Sequence, residues 1–164
     1  MPCKKPHHTS EGSNEQKGDG SFEILPKGLN IVWGNDPRYW NIPDTGAAEL
    51  IQVSWLEVTG KVSIKDRGKY RVSFEVRVKE DGFGWQGTEV LVMAKIGKRG
   101  RYQFRVNKLS PSTHNIIIPQ LDNGPLDIAV DNPPSDLHFG LYEVWSGKWK
   151  GGLQIIKATV EPVT

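Results

Sequence analysis

The alternation between Lys69 and Lys79 constrains this chain more than any other feature. Tyr70, Val72, Phe74, Val76 and Val78 alternate with Arg71, Ser73, Glu75 and Arg77. A period of two cannot form an amphipathic helix; it describes a strand with one face in a core and the other in water. Tyr102, Phe104 and Val106 alternate with Gln103, Arg105 and Asn107 in the same way, which turns the two rings toward the core. Leu137, Phe139 and Leu141 share one face of a further strand, and Leu29, Ile31 and Trp33 one face of an early strand. Other strands are expected over 50–58, 62–64, 89–96, 115–118, 126–130 and 153–160. Turn signals separate them, among them Gly60, Asp81-Gly82, Gly97 to Gly100 and Gly151-Gly152. Only 47–55 reads as a short helix. Alternating strands at this spacing argue for a sandwich or a barrel. The expected fold is all-β, a β-sandwich of two antiparallel sheets with short helices or turns in the connections.

A chain of 164 residues suits one domain with a sizeable core. Residues 1–20 hold only one sizeable apolar side chain, Met1, and read as a disordered leader. Residues 21–164 then form the single domain, beginning near Phe22. A net charge of +2 is too small to imply a nucleic-acid or anionic-membrane partner by itself. No apolar run approaches the roughly 20 residues of a membrane helix, so no membrane insertion is expected. The polar start of the chain does not read as a signal peptide, which places its synthesis in the cytoplasm. Cys3 is the single cysteine; it forms no internal disulfide and offers an accessible thiol for cross-linking.

Six tryptophans are many for this length, and their neighbours matter more than their number. Trp55 sits in the apolar run 51–58 and reads as core. Trp33 precedes Gly34-Asn35-Asp36-Pro37, and Trp40 follows Tyr39. Trp85 lies between Gly84 and Gly87, and Trp145 and Trp149 flank Ser146-Gly147-Lys148. Rings placed beside turns either cap the edge of a core or meet a ligand, and the pattern leaves both readings open. A sugar is the ligand that suits the second: its C–H face covers an indole, and its hydroxyls pair with nearby carboxylates and amides. Asn35, Asp36, Asn41, Gln86 and Glu143 are suitable rim groups.

Lys95, Lys98, Arg99, Arg101, Arg105 and Lys108 fall within fourteen residues with no acid among them. The stretch reads as a solvated, charged outer face, with RNA tracking as its functional alternative. Catalysis finds little support. His114 and His138 have no adjacent cysteine, so neither a metal nor another cofactor is expected. Asp136 and Glu143 are the one tempting carboxylate pair for a glycosidase. Seven residues of straight strand separate them by about 23 Å and put them on opposite faces.

The segment from Ile31 to Trp40, Ile-Val-Trp-Gly-Asn-Asp-Pro-Arg-Tyr-Trp, resembles the opening motif of the plant phloem protein 2 and Nictaba-type lectins. Ala48-Glu49-Leu50 followed by the block from Val53 to Gly60 is similar to the family's next segment. The stretch from Tyr142 to Trp145, then Trp149 to Leu153, is similar to its closing signature. The resemblance spans about Phe22 to Pro162, and the single Cys and compact form look like a cucurbit phloem lectin. It implies a non-enzymatic protein that binds chitin-type N-acetylglucosamine oligomers and N-glycan cores. It carries the family's two binding tryptophans onto Trp33 and Trp40, its binding glutamate onto Glu143, and a second acidic position onto Asp136. Tyr39, Asn35, Trp145, Trp149 and Trp85 complete the expected site. The resemblance also implies phloem sap or sieve elements as the location and plant defence as the context. A phloem filament protein reached through Cys3 and RNA are the partners that go with it, and a homodimer is expected because closed two-fold pairs are the commonest assembly.

Overall fold

The computed structural model describes residues 6–11 and 16–163. Among them, twelve strands form two antiparallel sheets packed face to face, as expected. The strands are β1 (Phe22–Ile24), β2 (Asn30–Ile31), β3 (Trp40–Asn41), β4 (Ala48–Leu50), β5 (Leu56–Ile64) and β6 (Gly68–Phe83). They continue with β7 (Glu89–Ile96), β8 (Gln103–Lys108), β9 (Ile116–Ile118), β10 (Leu126–Val130), β11 (Ser135–Glu143) and β12 (Gly151–Val163). One sheet runs in the order β10-β6-β12-β4-β3, with β1 on β12 and β9 on β6; the other runs β2-β5-β11-β7-β8. The alternating apolar residues of β6 (Tyr70, Val72, Phe74, Val76, Val78) all face inward, against β11's Leu137, Phe139 and Leu141 from the opposite sheet. Phe74 and Phe139 meet across the two layers with ring centroids 5.9 Å apart.

Four local expectations are corrected by the structure. Gly60 is not a turn but the middle of β5, directly opposite Phe139 of β11. A side chain at Gly60 would collide with the Phe139 ring, so this glycine serves a close approach rather than a change of direction. The 47–55 segment forms the short strand β4 instead of a helix: Ala48 and Leu50 are buried, and Glu49 between them turns out to ion-pair with Lys79 at 2.6 Å. Trp33 does not extend β2, which ends at Ile31; the chain turns there with Trp33 at φ 65°. Tyr102 and Phe104 face solvent, 41% and 50% exposed, while Asn107 and Leu109 are buried. Alternation along β8 was legible, but it does not say which of the two faces is inward. Pairing on β7 settles that: Phe104 lies opposite Met93 on the outer face.

Part of the stretch read as a leader also packs on the domain. His8 is buried and forms an antiparallel bridge with Ile31. Cys3 lies outside the described residues.

Candidate functional site

One end of the sandwich gathers most of the tryptophans. The end of β2, the start of β5, the end of β11 and the start of β12 all lie there, because Val32 bonds to Glu57 and Leu56 pairs with Glu143. Trp33, Tyr39, Trp149 and Trp55, with Val53 and Ser54, line a hollow of about 140 Å³. The Trp33 and Tyr39 rings meet edge-on at 5.7 Å, and Tyr39 lies 6.4 Å from Trp149 at a 34° tilt. The Arg38 guanidinium sits 5.1 Å over the Tyr39 ring and is itself held by Asp36 at 2.8 Å. Trp33 is 38% exposed and Trp149 53%. Trp55, expected in the core, is exposed as well; its indole N–H donates to Glu57 Oε1 at 3.0 Å. Trp55 stands just before β5 begins, where the apolar run leaves the sheet, so its apolar neighbours in sequence are not its neighbours in space.

A buried ion pair ties together two of the segments that line this box. Glu143 Oε1 and Lys150 Nζ are 2.8 Å apart, both side chains almost wholly excluded from water. Glu143 also accepts from the backbone N–H groups of Trp145 and Ser146 and from the Ser146 hydroxyl. Lys150 Nζ donates onward to the carbonyls of Ser54 and Lys148, each at 2.9 Å. The chain from 144 to 149 is therefore tied both to itself and to the 53–55 segment, and this tie sets Trp149 beside Trp55. Burial works to raise the Glu143 carboxyl, but Lys150 and the Ser146 hydroxyl and amide together hold it below its ordinary value. A carboxylate so committed orders the loop and has little capacity left for a ligand.

The other expected site residues divide. Trp40 is 2% exposed; its ring closes the core from β3 and offers no stacking face. Its Nε1 has no hydrogen-bond partner among the described residues. Trp40 lines a second hollow of about 220 Å³ with Lys27, Gly34, Asn35, Asn41 and Ile42. The 33–39 turn separates the two hollows: Trp33 and Tyr39 border the first, Gly34 and Asn35 the second. Trp85 is buried, and its indole N–H donates to the Gly151 carbonyl at 2.9 Å, which pins the 84–88 turn to β12. Trp145 is exposed at the same end but does not border the first hollow. Asp136 is exposed near the start of β11, opposite Ser63, at the far end of the sandwich from Glu143. The two carboxyls do not form a pair.

The outer face of the five-stranded sheet carries a second set of rings. Phe104, Met93 and Gly140 form one row across β8, β7 and β11, and Val106, Leu91 and Tyr142 the next. The Lys95 ammonium sits 4.7 Å over the Tyr102 ring, and Tyr102 meets Tyr142 edge-on at 6.4 Å. Among the described residues, no group of three or more His, Cys, Asp or Glu is placed to hold a metal ion. No described helix is long and apolar enough to cross a membrane.

Residues 20–162 match the family described as Phloem protein 2. The chain is 40% identical to Protein PHLOEM PROTEIN 2-LIKE A9 of Arabidopsis thaliana, over 98% of each chain. It is 21% identical to PHLOEM PROTEIN 2-LIKE A1 of the same plant, over 90% of this chain and 64% of that protein. A protein of Luffa acutangula named Lectin is 33% identical over 40% of this chain and 36% of its own.

Proposed function

We propose, from the premise that this chain belongs to the phloem protein 2 family, that its aromatic box binds N-acetylglucosamine oligomers and N-glycan cores without altering them. The observation that carries the reading is the hollow lined by Trp33, Tyr39, Trp149 and Trp55. All three of these indoles are exposed, with no charged side chain lining the hollow, as a sugar's C–H face requires. The likeness to the Luffa protein named Lectin supports the ligand class. The neighbouring hollow adds the amide side chain of Asn41, which suits an acetamide carbonyl and ring hydroxyls. The distance and opposed faces of Asp136 and Glu143 give a glycosidase no carboxyl pair. Binding is shallow, so a homodimer that offers two boxes would raise avidity on a multivalent glycan. Such a protein, acting in phloem sap, would suit defence against chitin-bearing organisms.

Titrating chitotriose while following tryptophan emission tests the reading. A saturable change is expected, with an apparent Kd on the order of a millimolar for a single shallow site. Trp33→Ala and Trp149→Ala should each weaken binding at least about ten-fold, the loss of one stacked ring. Unchanged emission through saturating sugar would sink the proposal.

The exposure of Tyr102 and Phe104 favours a second reading, an RNA-binding face on the five-stranded sheet. Rings for stacking bases stand there beside the Lys95 ammonium. Affinity for a single-stranded RNA should then fall steeply with salt; a flat salt dependence removes it. The filament partner proposed through Cys3 predicts that Cys3→Ser abolishes oxidative cross-linking.

A further inference from the structure

Trp33 is the only non-glycine residue with a positive φ among the described residues. A bulky side chain adopts that conformation rarely and at a cost, and keeps it where its surroundings over-determine it. Beside the Tyr39 ring and the Asp36 amide of its own turn, these surroundings include residues 6–8, a segment outside the stretch that matches the family. The Trp33 backbone N–H donates to His7 Nδ1 at 2.9 Å. The His7 ring also packs edge-on against the Trp33 indole, centroids 5.1 Å apart. Two residues on, the Asn35 backbone N–H donates to the Pro6 carbonyl and its side-chain amide to the His7 carbonyl, both at 3.0 Å. On the other side of Trp33, His8 and Ile31 exchange both backbone hydrogen bonds at 2.9 Å. Gly34 leaves the space for this crossing, because a Cβ there would stand 2.7 Å from His8 Cβ.

We propose that residues 6–8 form a strap that holds Trp33 in its sugar-binding pose, with His7 as the positioning residue. The strap fixes the turn on both flanks of Trp33, and His7 fixes Trp33 itself, once through the backbone and once through the ring. His7 lines neither hollow, so it acts through Trp33 and not on the ligand. Without the acceptor, the Trp33 amide is free to leave the left-handed region, and the indole then swings off Tyr39. The inference rests on the reading of the aromatic box as a saccharide site.

The test compares wild type, His7→Ala and His7→Asn in the full chain. Asn places its side-chain oxygen where Nδ1 stands, so it restores the acceptor without the ring. Chitotriose affinity is read by tryptophan emission, and the Trp33 amide and indole resonances by ¹⁵N-correlated NMR. His7 is exposed, so the melting temperature of both variants should stay at the wild-type value. His7→Ala should weaken chitotriose binding about five-fold, the value of one lost hydrogen bond, and displace both Trp33 resonances. His7→Asn should recover most of the affinity and the amide position. The proposal is overturned if His7→Ala binds as wild type does, or if His7→Asn loses as much as His7→Ala. If wild type binds no chitotriose, the saccharide reading fails and the ligand role of the strap with it. The Trp33 resonances then still decide whether the strap holds the turn.

Discussion

The aromatic box and the outer face of the five-stranded sheet both expose rings, yet they are built differently. In the box, Tyr39 meets both Trp33 and Trp149, and the rings are carried by the 33–39 turn, the 53–55 segment and the 144–149 loop, the last two of which the Glu143–Lys150 pair ties together. On the sheet face, Phe104 stands on the edge strand β8 and Tyr102 just before it, next to the cation of Lys95. The box is concave and its lining uncharged; the sheet face sets a cation, Lys95, directly over a ring. Rings converging on a hollow suit a neutral ligand whose apolar face they cover. Rings spread along a strand beside cations suit a polyanion that is tracked along its length.

The difference can be broken most sharply at Lys150. Lys150→Met leaves Glu143 buried without its partner and should cost about 3–5 kcal/mol in urea denaturation. Tyr102→Ala, on the open face, should leave the urea midpoint nearly unchanged. Equal losses at the two positions would mean that the pair does not organise the box.

A second contrast lies within one motif. Trp40→Ala empties a core position and should destabilise the fold by about 3–5 kcal/mol. Trp33→Ala, at a half-exposed ring, should cost under about 1 kcal/mol of stability and act on sugar affinity instead. Thermal melts beside chitotriose titrations separate the two. If Trp40→Ala melts normally and only loses sugar, Trp40 is a ligand group in its own right.

Replacing Tyr102 and Phe104 together by alanine should reduce single-stranded RNA affinity at least about ten-fold, given stacking values of about 1–3 kcal/mol per base. Chitotriose binding should not change. A loss of both activities would merge the two regions into one site.

The smallest expected effect is on acid stability. Glu143 titrates below its ordinary value of 4.5 in the folded protein. Its contribution is therefore fully present above that pH and is lost as the pH falls through the depressed folded value. Wild type should exceed Glu143→Gln in stability at pH 7, and the gap should narrow steadily below pH 4.5. A gap that stays constant into acid would mean that the carboxylate is not what stabilises the loop.

Much of this protein was legible in its residues, because strand periodicity is a local property. The alternation of β6 and β11 follows from side chains pointing to opposite faces of one extended chain, and no other part of the molecule is needed to see it. The three ordered blocks that resemble the phloem lectins are local in the same sense, and they pointed to the right family. Which side of an alternating strand is wet is not local: β8 shows the same period whichever way it faces, and only its pairing with β7 put Phe104 outside. Burial of individual tryptophans is likewise a matter of what comes back to cover them. Trp33 and Trp40 share a motif, but β3 pairs with β4 and seats Trp40 in the core, whereas Trp33 turns away from the sheet where β2 stops. The tie between Glu143 and Lys150 spans a turn the sequence did announce; the tie from Lys150 to Ser54 crosses 96 residues and did not show. So the chain's own pattern determined that it is all-β, a sandwich or a barrel, with rings at its turns. The tertiary structure decided which rings converge, since convergence depends on contacts between segments that no local period encodes.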